Sequence, residues 1–119
     1  MNGGPDAFIC FDFKKMAVQL SDYTMQSNNC IGENWFNLRN WAIEVSDDNQ
    51  NWVEIDRHVD DPALNGRNIV HTFSVKNQES GFHRFVRLRQ TGRTWNQPED
   101  INHFFFPYIE FYGKLKKKD

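Results

Sequence analysis

The stretch WAIEVSDDNQNWVEID, residues 41–56, decides the fold class of this chain. In its first six residues Trp41, Ile43 and Val45 share one face, while Ala42, Glu44 and Ser46 share the other. A repeat of two is typical of a half-buried β-strand. The turn-forming run DDNQN follows, and extended composition then resumes with WVEID. The stretch therefore predicts a β-hairpin.

The same pattern of short extended segments continues on both sides of the hairpin. None of these segments has the repeat of a helix, and polar or glycine-containing connections separate them. Seven short strands predict an all-β antiparallel sandwich or barrel. A chain of 119 residues provides one core, so we expect one domain. The further strands are predicted at 7–13, 18–27, 69–75, 84–90 and 104–112.

Charge and composition exclude several classes of function. The net charge is −2 and the pI is about 6.1, so no overall positive field attracts nucleic acid, and we expect no nucleic-acid partner. No segment approaches the roughly 18 apolar residues of a membrane span, and residues 1–6 lack the pattern of a signal peptide. A cytoplasmic location is the resulting prediction. The basic run at 114–118 is interpreted as a solvated tail.

Two cysteines, Cys10 and Cys30, occur in the chain. So few cysteines, without a dense framework, favour reduced thiols in a cytosolic setting. A disulfide between Cys10 and Cys30 remains the alternative.

Four phrases along the chain carry a family resemblance: ICFDF at 9–13, SDDNQNW at 46–52, FVRL at 85–88 and IEFYG at 109–113. In this order and spacing they resemble the discoidin, or coagulation-factor C-type, domain. The phrases LNG at 64–66 and RLRQTG at 87–92 are most similar to intracellular members that accompany BTB domains in protozoa. The resemblance covers residues 7–113 and implies a discoidin-like, galactose-binding-like jelly-roll β-sandwich, with flexible ends at 1–6 and 114–119.

The chain departs from the family pattern at two points. Family members usually carry an N-terminal strand and two projecting loops before the place where this resemblance begins. Their secreted relatives also join the domain ends through cysteines that are absent here. The first departure suggests a shortened domain, and the second agrees with a reducing compartment.

The resemblance implies that ligands meet loops at one end of the sandwich. By their order in the chain, the loops at 28–40 and 91–103 correspond to that end. Aromatic side chains beside arginine are typical of recognition surfaces, because they combine large contact area with bidentate donors. In the alternative reading, Trp35 and Phe36 fold back to cap the core. The candidate ligand-binding residues are Trp35, Phe36, Arg39, Arg93, Trp95, Asn96 and His103.

No catalytic residue, metal ligand or cofactor site is predicted from the sequence. The histidines lack the paired spacing of zinc sites, and no local nucleophile motif is present. The acidic cluster at 47–49 fits a hairpin turn without a calcium ion. On the sheet, Arg87 and Arg89 share a face and are expected to pair with a carboxylate such as Glu44 or Glu110.

Three functions compete for this non-catalytic domain. The first is intracellular protein–protein interaction through the two loops, motivated by the likeness to BTB-linked members. The second is carbohydrate binding, with binding to anionic phospholipid as a weaker variant, since Trp with Arg and Asn can stack on and donate to a sugar. The third is a structural role with self-association through Phe104, Phe105 and Phe106, because three consecutive Phe place at least one on an outer face.

Overall fold

The computed structural model describes residues 8–27, 37–95 and 108–117. This part of the chain forms seven β-strands and one short 3-10 helix, Pro62–Leu64, which connects the fourth strand to the fifth. The strands are β1 (Phe8–Asp12), β2 (Met16–Gln26), β3 (Trp41–Ser46), β4 (Val53–His58), β5 (Val70–Ser74), β6 (Phe85–Gln90) and β7 (Tyr108–Lys117).

The strands form two antiparallel sheets. One sheet has the order β1-β6-β3-β4, and the other has the order β5-β2-β7. The predicted all-β sandwich and the predicted hairpin are confirmed, since β3 pairs with β4 and joins it through the turn at 47–52. β3 also pairs with β6, which makes it a central strand.

The core lies between the two sheets. Trp41 is at its centre, fully buried, with its ring centroid 5.2 Å from that of Phe73 in an edge-on arrangement. Fully burying a large apolar side chain stabilises a fold by about 1.5–3 kcal/mol. The other fully buried apolar side chains are Tyr23, Met25, Ile43, Val45, Leu64, Val86 and Leu88.

The prediction that β3 is half-buried was wrong, because all six of its residues are buried. Glu44 lies on the outer face of the strand but is only 7% exposed. Two neighbours on β6 cover it: Arg87 Nε lies 2.7 Å and Arg89 Nε 2.9 Å from Glu44 Oε1. The predicted pairing of these arginines is thereby confirmed with Glu44 as the carboxylate. Alternation reports which face a side chain occupies, but not what covers that face.

The end of β7 also differs from the sequence prediction. Residues 114–117 continue the strand, and the register pairs Lys117 with Met16. β2 is eleven residues long, so it provides backbone partners for β7 far beyond the last apolar residue of the core. The side chains at 114–117 are exposed, as in a solvated tail, but the backbone is part of the sheet.

The carboxylate of Asp48 in the hairpin turn accepts hydrogen bonds from the turn itself. Asp48 Oδ1 accepts hydrogen bonds from the backbone N–H groups of Gln50 and Asn51 at 2.9 and 2.8 Å, and from the Ser46 hydroxyl at 2.9 Å. These donors, with Asn51 foremost, lower the pKa of Asp48. Across the described ranges, no three His, Cys, Asp or Glu side chains are grouped to hold a metal ion.

No helix in the described part of the chain is long and apolar enough to cross a membrane. Cys10 is a half-buried free thiol on β1, and burial raises its pKa. Its proposed partner Cys30 lies outside the described residues.

Candidate functional site

One end of the sandwich gathers the connections on which the predicted ligand residues lie. The register pairs Trp41 at the start of β3 with His58 at the end of β4 and with Gln90 at the end of β6. The residues just outside these three strands therefore meet. We call the described residues 37–40, 59–69 and 91–95 the loop end.

Arg39 links two of these connections through its guanidinium group. Its Nε lies 2.7 Å from Asp60 Oδ1, and its central carbon lies 4.4 Å from the ring centroid of Trp95. The side chains of Arg39 and Asp60 are 32% and 60% exposed, so this pair contributes little to stability. Its importance is geometric: it holds an arginine, a carboxylate and an indole together at the surface.

Trp95 is anchored from its other side. Its indole Nε1 donates to the backbone carbonyl of Asp61 at 3.1 Å, and its backbone N–H donates to Asn37 at 2.9 Å. The side chain is half-buried. These two hydrogen bonds fix the position of the Trp95 side chain. A side chain that is already fixed loses less conformational entropy when a ligand binds to it.

Asn40 joins all three connections. Its side-chain oxygen accepts from the Asp60 backbone N–H at 2.8 Å, and its amide nitrogen donates to the Arg93 carbonyl at 3.0 Å. Its own carbonyl accepts from Thr91 at 3.1 Å. The bond from Asn40 fixes the backbone of Arg93, a predicted site residue, at the loop end.

A buried polar network lies directly behind this surface. The Trp41 indole donates to the Tyr23 hydroxyl at 2.9 Å, and that hydroxyl donates to Asp56 Oδ2 at 2.5 Å. His58 Nε2 lies 2.9 Å from the same oxygen, and His58 Nδ1 lies 2.7 Å from Asp61 Oδ2. The His58 ring also stacks on Trp41, with centroids 4.5 Å apart.

The network reaches the loop end through Asp61. This residue caps the 3-10 helix, because its side chain accepts from the Ala63 backbone N–H, and its carbonyl accepts from Trp95. The network therefore connects the core tryptophan, Trp41, to the surface tryptophan, Trp95, through hydrogen bonds and backbone.

Tyr23, His58 and Asp56 in this network have shifted pKa values. Burial raises the pKa of Tyr23, and its bond to Asp56 raises it further. For His58, burial is the largest single effect and favours the neutral ring, but bonding to Asp56 and Asp61 outweighs it and raises the pKa. For Asp56, burial likewise opposes the charge, but the bonds from His58 and Tyr23 outweigh it and lower the pKa.

The Asp56–His58 pair predicts how stability depends on pH. The raised pKa of His58 gives stabilisation that is complete below its ordinary value of 6.5 and is lost as pH rises through the folded value. The lowered pKa of Asp56 gives stabilisation that is complete above its ordinary value of 3.8 and is lost on acidification through the folded value. We therefore expect His58 to make the free energy of unfolding decline above pH 6.5. Urea unfolding from pH 5 to 9 measures this.

The variant His58→Gln is the matched control for that measurement, since glutamine does not titrate. It should remove the decline that His58 contributes above pH 6.5. Equal slopes for the wild type and the variant would contradict the assignment to His58.

The histidine between two carboxylates resembles catalytic arrangements but lacks a free atom for catalysis. Both ring nitrogens of His58 are engaged by carboxylate oxygens, and its side chain is only 14% exposed. A general base needs a nitrogen within reach of the substrate's proton. The geometry suits a structural bridge between the core and the loop end.

A surface cleft of about 590 Å³ opens beside this bridge. Lys76 closes one side, with its ammonium group donating to the Arg57 carbonyl at 2.6 Å. The cleft is lined by Arg57, His58, Val59, Asp60, Asp61, Pro62 and Lys76. The cleft thus combines cations and carboxylates with apolar surface.

The structure brings together three of the seven residues predicted from the sequence. Arg39, Arg93 and Trp95 lie at the loop end, although Trp95 is half-buried rather than facing solvent fully. Asp60, Asp61 and Asn40 were not predicted as site residues. The spacing of three residues between His58 and Asp61 is visible in the sequence, but the sequence alone does not place their connection at this end of the sandwich. The other four predicted residues, Trp35, Phe36, Asn96 and His103, lie outside the described residues, as do Phe104, Phe105 and Phe106.

No family model matches the chain, but it is similar to curated proteins and to solved structures. The chain is 29% identical over 80 residues to the E3 ubiquitin-protein ligase Ufd4 of Drosophila melanogaster. That match covers 66% of this chain but only 3% of the ligase. The chain therefore spans only a small part of the length of that ligase.

The two solved structures share the fold. One is a fragment of a protein assigned as a chitobiase from Bacteroides thetaiotaomicron, with a TM-score of 0.60, 16% identity, and coverage of 94% of this chain and 61% of that one. The other is the family 32 carbohydrate-binding module of Streptococcus pneumoniae EndoD, with a TM-score of 0.58, 13% identity, and coverage of 90% and 69%. At these identities the likeness establishes the sandwich fold.

Proposed function

We propose that this chain is a non-catalytic recognition module that binds a partner protein at the loop end. The observation that carries the proposal is the arrangement of Arg39 between Asp60 and Trp95, fixed by hydrogen bonds from three separate connections. Arginine and tryptophan are the side chains most enriched at energetic centres of interfaces. Here both are positioned before any partner arrives.

The segment 28–36, which carries the predicted recognition residues Trp35 and Phe36, is flanked by residues held at the loop end. Ser27 and Asn37 flank the segment 28–36 and are linked through the Gly66 carbonyl, which accepts from the Ser27 hydroxyl at 2.8 Å and the Asn37 amide at 2.7 Å. The two described residues on either side of this segment are therefore held together at Gly66 of the loop end.

Two features favour a protein partner without catalysis. Both nitrogens of His58 are engaged, so the most catalytic-looking side chain in the described ranges serves the framework. The relative Ufd4 is a ubiquitin ligase, and recognition of a protein substrate or adaptor is a role that a non-catalytic sandwich can supply within a ligase.

The test compares two arginines that each pair with an aspartate and lie over an aromatic ring, but at different ends of the sandwich. Arg39 pairs with Asp60 at 2.7 Å and lies over Trp95 at the loop end, whereas Arg84 pairs with Asp12 at 2.7 Å and lies over Phe85 at the opposite end. Arg39→Ala should lower recovery of the partner in a quantitative pull-down by about tenfold, as expected for an interface centre. Arg84→Ala should leave recovery unchanged. Equal recovery by the two variants, with both folded, contradicts the proposal.

Carbohydrate is the second candidate ligand, favoured by the fold that the chain shares with a carbohydrate-binding module and by the cleft beside His58, which carries cations and carboxylates next to apolar surface. A glycan array probed with the wild type and with Arg39→Ala separates the two candidates. Binding to defined glycans that Arg39→Ala abolishes would favour carbohydrate over protein. An array without any hit at high protein concentration would remove carbohydrate from consideration.

A further inference from the structure

Among the strands that the structure describes, β7 lies at the edge of its sheet. In the order β5-β2-β7 it is terminal, and among the described residues it pairs only with β2. It is ten residues long, whereas strands in globular proteins are usually about five or six. A long edge strand presents a row of unpaired backbone groups that can receive another strand.

The side chains of β7 are unusually exposed and mixed in character. The large side chains of Tyr108, Tyr112 and Leu115 are 56%, 42% and 59% exposed. Because successive side chains alternate between faces, Tyr108, Glu110, Tyr112, Lys114 and Lys116 share the outer face of the sheet. Ile109, Phe111 and Leu115 share the inner face, where Ile109 and Phe111 pack on the core.

The charges on this outer face are not paired with one another. The Glu110 carboxylate accepts from the hydroxyls of Tyr108 and Tyr112, the latter at 2.8 Å, and no described cation lies within ion-pair distance of it. Lys114 likewise has no described carboxylate partner. Four residues of strand separate Glu110 from Lys114 by about 13 Å, which is too far for a direct bond within one chain.

We propose that β7 pairs edge to edge with β7 of a second copy of this chain, antiparallel and centred on Tyr112. In this register Glu110 of each copy faces Lys114 of the other, which forms two ion pairs. Tyr112 faces itself across the two-fold axis. The strand is thus complementary in charge to an antiparallel copy of itself, because the order is Glu110, Tyr112, Lys114.

The same register matches the remaining side chains. On the outer face, Tyr108 faces Lys116 of the second copy, and this lysine already lies 4.7 Å over the ring of Phe82 in its own chain. On the inner face, the exposed Leu115 faces Ile109 of the second copy. The product is a continuous six-stranded sheet, β5-β2-β7-β7-β2-β5, in which β7 of each copy is no longer an edge strand.

This pairing goes beyond recognition at the loop end and uses different residues. It also differs from self-association through Phe104, Phe105 and Phe106, since the described strand alone provides the complementarity. An acidic peptide added to the lysine-rich half of β7 is the competing occupant. Exchange of the charges at Glu110 and Lys114 preserves both ion pairs of the two-fold dimer. The same exchange removes one lysine from the lysine-rich half of β7 and should weaken binding of an acidic peptide.

Sedimentation velocity of the full chain from about 1 µM to 1 mM tests the proposal. The wild type should show a reversible monomer–dimer equilibrium. Lys114→Glu and Glu110→Lys each create two like-charge pairs in the homodimer, so each should raise the dimer dissociation constant by about tenfold or more. An equimolar mixture of the two variants should form a heterodimer again, because every pair in it joins opposite charges.

The double variant Glu110→Lys/Lys114→Glu should restore the homodimer, and it also tests the register, because only pairing centred on Tyr112 places residue 110 against residue 114. Lys15→Glu, an equal change of charge at an exposed turn, should leave the equilibrium unchanged. Thermal melts confirm that each variant is folded. A wild type that stays monomeric at 1 mM, or a mixture and double variant that fail to restore the dimer, overturns the proposal. So does a wild type that binds the probe peptide EVEVEVE at β7 while staying monomeric.

Discussion

Replacing His58 with leucine should lower the free energy of unfolding by about 3–5 kcal/mol near pH 6. The side chain of Asp56 is fully buried, and among the described residues its Oδ1 has no hydrogen-bond partner. His58 supplies the one positive charge in the described part of the chain that lies within ion-pair distance of this carboxylate. Leucine would leave a buried anion held by the Tyr23 hydroxyl alone. Urea unfolding followed by tryptophan fluorescence measures the loss.

A double-mutant cycle shows whether the buried charge is responsible. Asp56→Asn removes the charge and keeps an oxygen that accepts from Tyr23. The variant Asp56→Asn/His58→Leu should therefore be more stable than His58→Leu alone. If Asp56→Asn instead costs as much in the His58→Leu background as in the wild type, the two residues act independently and the explanation is wrong.

Replacing Gly113 with alanine should cost about 3 kcal/mol, at the upper end of overpacking effects. A Cβ at this position would clash with the Gln19 carbonyl oxygen and lie 3.0 Å from Leu20 Cα. Both atoms are backbone, and they belong to the part of β2 where the register shifts after Leu20. Relief of the clash would separate β7 from β2. Equilibrium unfolding and amide hydrogen exchange along β7 measure the effect.

Gly81→Ala is the matched control. Gly81 has a φ of +91°, but nothing lies within 4 Å of the position its Cβ would take. Its replacement should cost only the backbone term of about 1 kcal/mol or slightly more. Equal losses for the two variants would mean that close approach at Gly113 has no effect.

Much of the sheet could be predicted from the sequence because period-two patterning and turn residues are local signals. The hairpin at 41–58 follows from alternation and the DDNQN turn, and the arginines on β6 find Glu44 because cross-strand neighbours share a face. The two-sided burial of β3 could not be predicted in this way, since polar residues on its outer face are covered by the stems and head groups of those arginines.

The network behind the loop end was harder to predict. Asp56 and His58 share a face of β4, with Arg57 between them. Their alternation was visible in the sequence, but polar side chains in alternation usually indicate a solvent face. They point inward because the register shifts between Ile43 and Glu44, which brings Asp56 opposite Ile43. A bulge depends on the pairing of two strands and leaves no mark in either strand alone. The partners Tyr23 and Asp61 are likewise distant in sequence.

Amide hydrogen exchange of the chain, free and bound to the partner recovered by pull-down, tests the central claim most directly. Recognition at the loop end predicts that binding slows exchange at the backbone amides of 37–40, 59–61 and 91–95. Exchange in the turn at 47–52 and the connection at 76–84, at the opposite end of the sandwich, should not change. Protection confined to the opposite end, with the loop end unaffected, would contradict the account.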